Sequence, residues 1–249
     1  MTSLGSQEHM NEQTPAASRP RVKNNVVTAL AIDISTNIYE SGTFLPREND
    51  LCEHYGVSRT VIREALKVLE SKGMVRARPR VGTLVCERDE WNILDPQVIE
   101  WLGDEVFRLN LLNCILETRQ VIEPVAARLA AERATVQEIA DLEQAWQMMH
   151  DANGDLAAFT EGDTLFHSRL LKASHNQVFY QLSHSINSAL KYSLQTTNEA
   201  AATCTEALER HRQLVEALRM RDKDAAEEHA LKILDLASRD LKIATQKGL

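Results

Sequence analysis

The sequence is poor in the residues that build β-sheet domains and membrane spans. Aromatic residues make up 5% of its 249 residues, and it contains only 9 glycines and 6 prolines. This composition favours a helical protein over a β-sandwich. No apolar run approaches the ~18 residues that a membrane-spanning helix needs, and the N-terminus lacks the basic-then-apolar order of a secretory signal. We therefore expect a globular protein with no membrane partner.

Cysteines are also scarce, and their positions exclude the common cysteine motifs. Cys52, Cys86, Cys114 and Cys204 lie far apart, and no two of them form a CxxC pair. This pattern is typical of reduced thiols rather than of a disulfide scaffold or a zinc finger. It predicts a cytoplasmic protein.

Charge is distributed unevenly along the chain. The formal net charge is −8. Residues 19–88 carry +4, however, whereas residues 89–249 carry −10. A basic segment joined to an acidic one is typical of a protein that presents one face to phosphate and keeps the remainder away from it.

The basic segment has the pattern of two helices, a tight turn and a two-stranded wing. In 44-FLPRENDLCEHYGVSRTVIREALKVLESKGMVRARPRVGTLV-85, the helix over 59–72 is expected to bury Val61, Ile62, Ala65, Leu66 and Leu69. Arg59, Thr60 and Arg63 then lie at its N-terminal end and outer face, where a recognition helix contacts bases and phosphates. Ser58 is predicted to cap this helix with its hydroxyl.

These features predict a mostly α protein. An amphipathic helix over 22–39 precedes the two helices of the basic segment. Beyond the wing, the hydrophobic periodicity is helical to the end of the chain. We divide the chain as follows: 1–20, a disordered tail; 21–87, a winged helix–turn–helix (three helices plus a two-stranded wing), called the head below; 88–94, a linker; 95–249, an all-helical antiparallel bundle of six or seven helices, called the body.

The head strongly resembles that of the GntR family of bacterial transcription regulators. The resemblance rests on LPREND-L-(x)5-VSRTVIREAL-(x)2-LE-(x)2-G-(x)8-GT-(x)-V, which has the turn, cap, arginines and core leucines in order. It implies that Arg59 and Arg63 contact operator DNA, that Thr60 contacts a phosphate or base, and that Gly82 lets the wing approach the minor groove.

Two positions depart from the family pattern. Asn49 stands where many members have arginine, and Val81 stands where arginine or glycine is frequent. The first substitution alters a phosphate or base contact, and we expect Arg78 and Arg80 to compensate for the second. Both departures point to an operator preference that differs from that of relatives.

Polar residues on apolar helix faces mark a candidate site in the body. Asp163 and His167 are spaced i, i+4 and share one helix face, and His211 lies on a later helix. One aspartate and two histidines converging in a bundle would form a divalent-metal site with open positions. From spacing alone, ordinary surface or core histidines are the more frequent explanation.

The body also resembles the FCD-type ligand-binding domain of the FadR subfamily, through ETRQVIEPVAARLAAERAT, 163-DTLFH-167 and ERHRQLVEALRMRDKDAAEEH. The resemblance implies a divalent metal (zinc, nickel or manganese) bound by one aspartate and three histidines. Asp163, His167 and His211 match three of these positions, but the fourth is Ile233. His229, one turn earlier, is either a shifted ligand or a surface residue, so a metal site and a metal-free site both stay open.

An anionic effector needs cations, and the resemblance implies a carboxylate. Arg119 is the first candidate, since a guanidinium binds a carboxylate with two hydrogen bonds; Arg239 is a weaker one. Asn187, with Thr118 and Tyr192, would contact a polyol chain. The run 87-ERDEWNILDPQVIEW-101 and the missing ligand resemble regulators of sugar-acid catabolism, which implies an aldonate such as galactonate.

The combined prediction is a homodimeric transcription repressor that an effector releases from double-stranded operator DNA. It is not expected to be an enzyme. The alternative is a metal-dependent hydrolase or lyase for a small acid with a DNA-binding appendage, because Asp163, His167 and His211 leave room for an activated water. Binding of sugar acids without turnover would favour the regulator.

Overall fold

The computed structural model describes residues 19–103, 105, 110–183, 191 and 204–246. Most of them are helical. The elements are α1 (Arg19–Ser35), α2 (Glu48–Tyr55), α3 (Arg59–Ser71), β1 (Val75–Arg78), β2 (Gly82–Val85), α4 (Pro96–Leu102), α5 (Leu111–Arg133), α6 (Val136–Asp151), α7 (Leu156–Ala173), α8 (Cys204–Arg219) and α9 (Lys223–Gln246). Residues 177–183 are helical as well. Residues 1–18 of the predicted tail, Asn187 and Tyr192 lie outside the described residues.

In the head, α1 and α2 pack around α3, and the strands β1 and β2 follow as an antiparallel pair. The predicted first helix, 22–39, extends too far at its C-terminal end. It ends at Ser35 because Asn37 adopts a left-handed backbone with φ of 62°, a conformation that ends helices.

The wing has a third, short strand-like segment. Phe44 pairs with Leu84 in an antiparallel bridge, and the backbone N–H of Leu45 donates to Thr83 O at 2.8 Å. The side chain of Leu45 is buried. The extended entry into α2 thereby fixes the wing to the start of the helix pair.

The segment between head and body is ordered and held to the head. Trp91 is buried, and its Nε1–H donates to Cys86 O at 3.1 Å. The ammonium of Lys72, at the end of α3, lies 2.5 Å from the carboxylate of Asp95, which also caps α4. The helix α4 packs against α1, which in turn packs against the recognition helix α3.

The body is a helical bundle in which α5 packs on α9, and α6 on α7. The helix α5 begins at Leu111, directly after Asn110, whose backbone takes a left-handed conformation with φ of 54°. Gly162 allows α6 and α7 to approach closely. A Cβ there would lie 2.8 Å from Met149 Cγ.

Two hydrophobic cores support these units. The first joins the head to α4, to the start of α5 through Leu112 and Leu116, and to α9 through Leu234 and Leu241. The second lies within the body and includes Phe166. Among the described residues, no helix is long and apolar enough to cross a membrane.

Candidate functional site

The recognition helix α3 presents its polar residues outward as the sequence predicted. Ile62, Ala65 and Leu69 are fully buried against the head, whereas Val61 and Leu66, which were also expected to be buried, are only partly buried. Arg59 and Arg63, one turn apart, are exposed on the opposite side. Thr60 is exposed as well. The N-terminal half of α3 is therefore available to a partner.

The predicted cap of α3 is corrected by the structure. Ser58 occupies the N-cap position, but its side chain makes no capping hydrogen bond. The backbone carbonyl of Ser58 accepts from the N–H groups of Val61 and Ile62 instead. The hydroxyl is exposed, and it is free to donate to a phosphate.

Both arginines of α3 are held from α2. The Nε–H of Arg59 donates to Asn49 Oδ1 at 2.5 Å. The Nε–H of Arg63 lies 2.9 Å and 3.1 Å from the two carboxylate oxygens of Glu48. Sequence reasoning missed these pairs, because Asn49 was considered only as an altered DNA contact.

The wing arginines differ in their surroundings. Arg76 is paired with Glu90. Within the described part of the chain, Arg78 and Arg80 form no ion pair, and both are exposed. Arg80 has a φ of 66° and lies at the tip, next to exposed Val81, and Gly82 has a φ of 142° that a side chain rarely adopts. The unpaired positive charge of the wing is thus concentrated at its tip.

A buried polar cluster lies between α5, α7 and α8. Arg119 and Glu123 come from α5, Asp163 and His167 from α7, and His211 from α8. Each is at most 5% exposed. Buried charges persist in proteins only when they are paired or bind an ion, so this cluster is the strongest candidate site in the body.

Glu123 occupies the centre of the cluster. Its Oε1 accepts from Arg119 Nε at 2.5 Å, and its Oε2 lies 2.7 Å from His167 Nδ1. His167 Nε2 lies 3.5 Å from Asp163 Oδ1. A carboxylate on one ring nitrogen orients a histidine whose other nitrogen binds a metal, so Glu123 is suited to hold both Arg119 and His167 in position.

The donor atoms fit a divalent metal. His211 Nδ1 lies 2.7 Å from Ala207 O, so this nitrogen carries the proton. His211 Nε2 lies 3.0 Å from Asp163 Oδ1 and is buried without an aligned hydrogen bond. In the neutral tautomer of His211, the lone pair on Nε2 faces the carboxylate oxygen, a contact that becomes favourable when a cation, either a metal ion or a proton, lies between the two atoms. Asp163, His167 and His211 each offer a ligand atom within 4.8 Å of the others, a set that suits zinc, nickel or manganese.

The electrostatics of the cluster favour its charged forms. Burial opposes the charge on His167, but Glu123 and Asp163 outweigh it and raise the pKa of His167 to about 9. Burial also opposes ionisation of Glu123, but Arg119 and His167 lower its pKa to about 2. Burial opposes ionisation of Asp163 as well, but the charge of His167 holds the pKa of Asp163 well below its usual range.

The raised pKa of His167 predicts a pH-dependent stability in EDTA-treated protein. A raised pKa stabilises the fold fully below the unfolded value of about 6.5, and the contribution is lost as pH rises towards about 9. The loss should be about 3 kcal/mol in the free energy of unfolding, measured by urea denaturation at pH 6 and pH 9. His167→Gln should flatten the profile, whereas His150→Gln, at an exposed histidine, should not. A wild-type profile that is flat in this range would contradict the assignment.

Other predicted site residues are not brought to the cluster. Ile233 is buried in the second core, and His229 is not among the side chains that converge on a metal position. Arg239 is 52% exposed and pairs with Glu206, while Thr118 is exposed and bonds to Cys114 O. Among the described residues, Arg119 is thus the predicted effector contact that reaches the cluster.

Comparison with known proteins assigns both halves of the chain. Residues 22–85 match the family described as bacterial regulatory proteins, gntR family, and residues 114–236 match the FCD domain. The galactonate operon transcriptional repressor of Escherichia coli is 35% identical over 89% of this chain and 97% of its own length. This chain belongs to the GntR family. It is a DNA-binding transcription regulator with an FCD domain.

Other relatives agree with this assignment. The Uxu operon transcriptional regulator of Escherichia coli is 30% identical to this GntR-family regulator, over 76% of this chain and 74% of its own length. Among solved structures, Lar, which controls expression of the agr system of Listeria monocytogenes, matches with a TM-score of 0.64 at 16% identity. That match covers 93% of this chain and 99% of Lar, and it supports the fold. Because the family and these relatives are regulators, the predicted regulator is confirmed over the hydrolase or lyase alternative.

Proposed function

We propose that this regulator is a homodimeric repressor of a sugar-acid catabolic operon, and that a small hydroxylated carboxylate releases it from its operator. The observation that carries the proposal is the buried cluster around Glu123, whose position in the FCD domain suits a ligand site. Galactonate is our first candidate effector, because a relative of high coverage is named for the galactonate operon. We also propose a cytoplasmic location, because a regulator of this kind must reach its operator DNA.

We propose a divalent metal held by Asp163, His167 and His211. Such an ion would supply a Lewis-acidic centre for carboxylate or hydroxyl oxygens. Ile233, at the fourth family position, offers no ligand atom and is buried in the second core, so these three side chains would be the protein's ligands. Glu123 would orient His167 from behind.

Charge balance supports an anionic effector. In the absence of metal and with His211 neutral, Arg119 and protonated His167 balance Glu123 and Asp163, so the cluster has no net charge to attract an anion. With a divalent ion present and both histidines neutral, the same cluster would carry +1. One carboxylate would neutralise it. Arg119 would bind that carboxylate through the N–H groups that do not bond to Glu123, whose carboxylate accepts from Nε and Nη2.

Release requires a path from the cluster to the head. Leu116 lies one turn before Arg119 on α5, and its side chain belongs to the core that also contains Trp101 of α4 and Ile34 of α1. A shift of α5 would therefore change how the side chains of this shared core pack in the head. The effector must bind the DNA-incompetent geometry more tightly, and a tenfold preference corresponds to about 1.4 kcal/mol.

In the dimer we propose, the two α3 helices enter successive major grooves of a pseudo-palindromic operator. Arg59, Thr60 and Arg63 would contact bases or phosphates, with Ser58 and Asn49 beside them. Arg78, Arg80 and Gly82 would follow the minor groove.

A thermal-shift screen of sugar acids tests the effector class and the metal together. EDTA-treated protein and protein reloaded with zinc, nickel or manganese are each mixed with galactonate, related aldonates and uncharged galactose. A ligand at 100 times its Kd stabilises the folded state by about 2.7 kcal/mol, so we expect a higher Tm with an aldonate in the reloaded sample alone. Equal shifts in EDTA would exclude the metal, and no shift with any acid would exclude the sugar-acid effector.

A further inference from the structure

We propose that Asn49 and Glu48 are positioning residues that restrict Arg59 and Arg63 to one edge of their guanidinium groups when they read DNA. The inference rests on the proposed role of α3 as the recognition helix. It assigns to the first turn of α2 a specificity function that acts through α3. We call the four residues the arginine clamp.

The clamp is a matched pair of contacts. Glu48 and Asn49 are neighbours at the start of α2, and Arg59 and Arg63 are one turn apart on α3. In both pairs the acceptor oxygen binds the arginine through Nε, at 2.5 Å from Asn49 Oδ1 and at 2.9 Å from Glu48 Oε2. Both arginine heads point to the outer face of the domain, and the Arg63 side chain is 63% exposed.

The contact through Nε decides which donors remain. A guanidinium offers five N–H donors, and it can form a pair of parallel hydrogen bonds either from Nε with one Nη or from its two Nη atoms. In the clamp the Nε–H of the first edge is occupied, so this edge can no longer form a pair of bonds to a base. Among the described residues, neither arginine has a recorded partner at its Nη atoms. The two-Nη edge therefore remains for the O6 and N7 acceptors of guanine.

The acceptors also hold each long side chain in one direction before DNA arrives. A free arginine loses much rotamer freedom when it binds, whereas a clamped one has already lost part of it. An arginine that is released from its acceptor can still reach phosphates or other bases. Loss of the clamp should thus lower discrimination between bases more than it lowers overall affinity.

The two acceptors differ in charge, and this difference separates positioning from electrostatics. Asn49 is neutral, so Arg59 keeps a full positive charge for the phosphate backbone. Asn49→Asp would keep an acceptor oxygen at the same place but add a negative charge beside DNA. Asn49→Ala would remove the acceptor without adding charge.

The test begins with selection of duplexes from a randomised library by the full-length wild-type protein. Fluorescence anisotropy then measures Kd for the selected duplex and for its single-base variants. Arg59→Ala identifies the base pair that Arg59 reads. Asn49→Ala and Asn49→Asp are compared with Asn92→Ala, a matched control in the linker at an exposed asparagine whose backbone N–H donates to Lys72 O beside the C-terminal end of α3.

We expect Asn49→Ala to lose about tenfold of the base preference at the position that Arg59 reads, with the preference elsewhere and the salt dependence of Kd unchanged. Asn49→Asp should retain that preference while binding every duplex more weakly, most clearly at low salt. Asn92→Ala should behave as wild type.

Full preference in Asn49→Ala, or an equal loss at all positions, would overturn the clamp and leave the regulator function intact. An Arg59→Ala variant that keeps every base preference would also overturn the clamp and leave the regulator function intact. A wild-type protein that enriches no sequence would overturn the proposed operator recognition, and the clamp with it.

Discussion

Arg119→Ala is expected to abolish the response to the effector and to lower the free energy of unfolding by about 3–5 kcal/mol. Arg119 and Glu123 are 3% and 1% exposed, and they form a direct ion pair. Without the guanidinium, the buried Glu123 carboxylate keeps only one of its two positively charged partners, His167. The substitution also removes the group that we propose to bind the effector carboxylate. Urea denaturation measures the first effect, and effector-dependent release of operator DNA measures the second.

Two variants make this prediction decisive. Arg239→Ala removes an exposed arginine of the same domain, and a surface pair of this kind contributes about 0–1 kcal/mol. It should therefore fold and respond as wild type. Arg119→Lys keeps a positive charge beside Glu123 but loses the planar guanidinium, which forms two parallel hydrogen bonds to a carboxylate. This variant should therefore fold and still bind the effector weakly. A full effector response in Arg119→Lys and Arg119→Ala would refute the carboxylate contact.

Arg63→Ala is expected to abolish specific operator binding without unfolding the head. A good arginine–base contact contributes about 1–3 kcal/mol, and a dimer contains two copies of each contact. We thus expect Kd for operator to rise by about 30-fold or more. The Glu48 carboxylate, no longer paired, would add repulsion from phosphate. Because Arg63 is 63% exposed, the free energy of unfolding should change by less than about 0.5 kcal/mol.

The control for this prediction is Arg212→Ala, in the body. Arg212 is also exposed and also pairs with a glutamate, Glu209. It should bind operator as wild type does. Gel shifts and anisotropy at fixed salt would compare the variants, and an unchanged Kd for Arg63→Ala would show that α3 does not read DNA in the way we propose.

Local patterns explain why much of the architecture was predictable. The recognition helix is amphipathic, so Ile62, Ala65 and Leu69 had to face inward and Arg59 and Arg63 outward. The end of α1 at Ser35 was not predicted, because the left-handed backbone of Asn37 does not alter the hydrophobic periodicity of the sequence. The Ser58 cap failed for a related reason, since the residue type favours capping but does not determine where the hydroxyl points.

The buried cluster was predictable only in part. Asp163 and His167 share a helix face by their spacing, so their meeting could be anticipated. The contact between Glu123 and His167 joins α5 to α7, and no spacing along the chain predicts a contact between separate helices. The clamp between Asn49 and Arg59 likewise depends on the crossing of α2 and α3.

The central claim is that a sugar acid binds the buried cluster and releases the head from DNA. Its most direct test is the anisotropy of a labelled operator, selected by the protein itself, during titration of the metal-loaded wild type with galactonate and related aldonates. We predict that one of these acids raises Kd for operator at least about tenfold, which corresponds to about 1.4 kcal/mol, and that Arg119→Ala does not respond. An operator affinity that no acid changes, or an equal change in Arg119→Ala, would contradict the account.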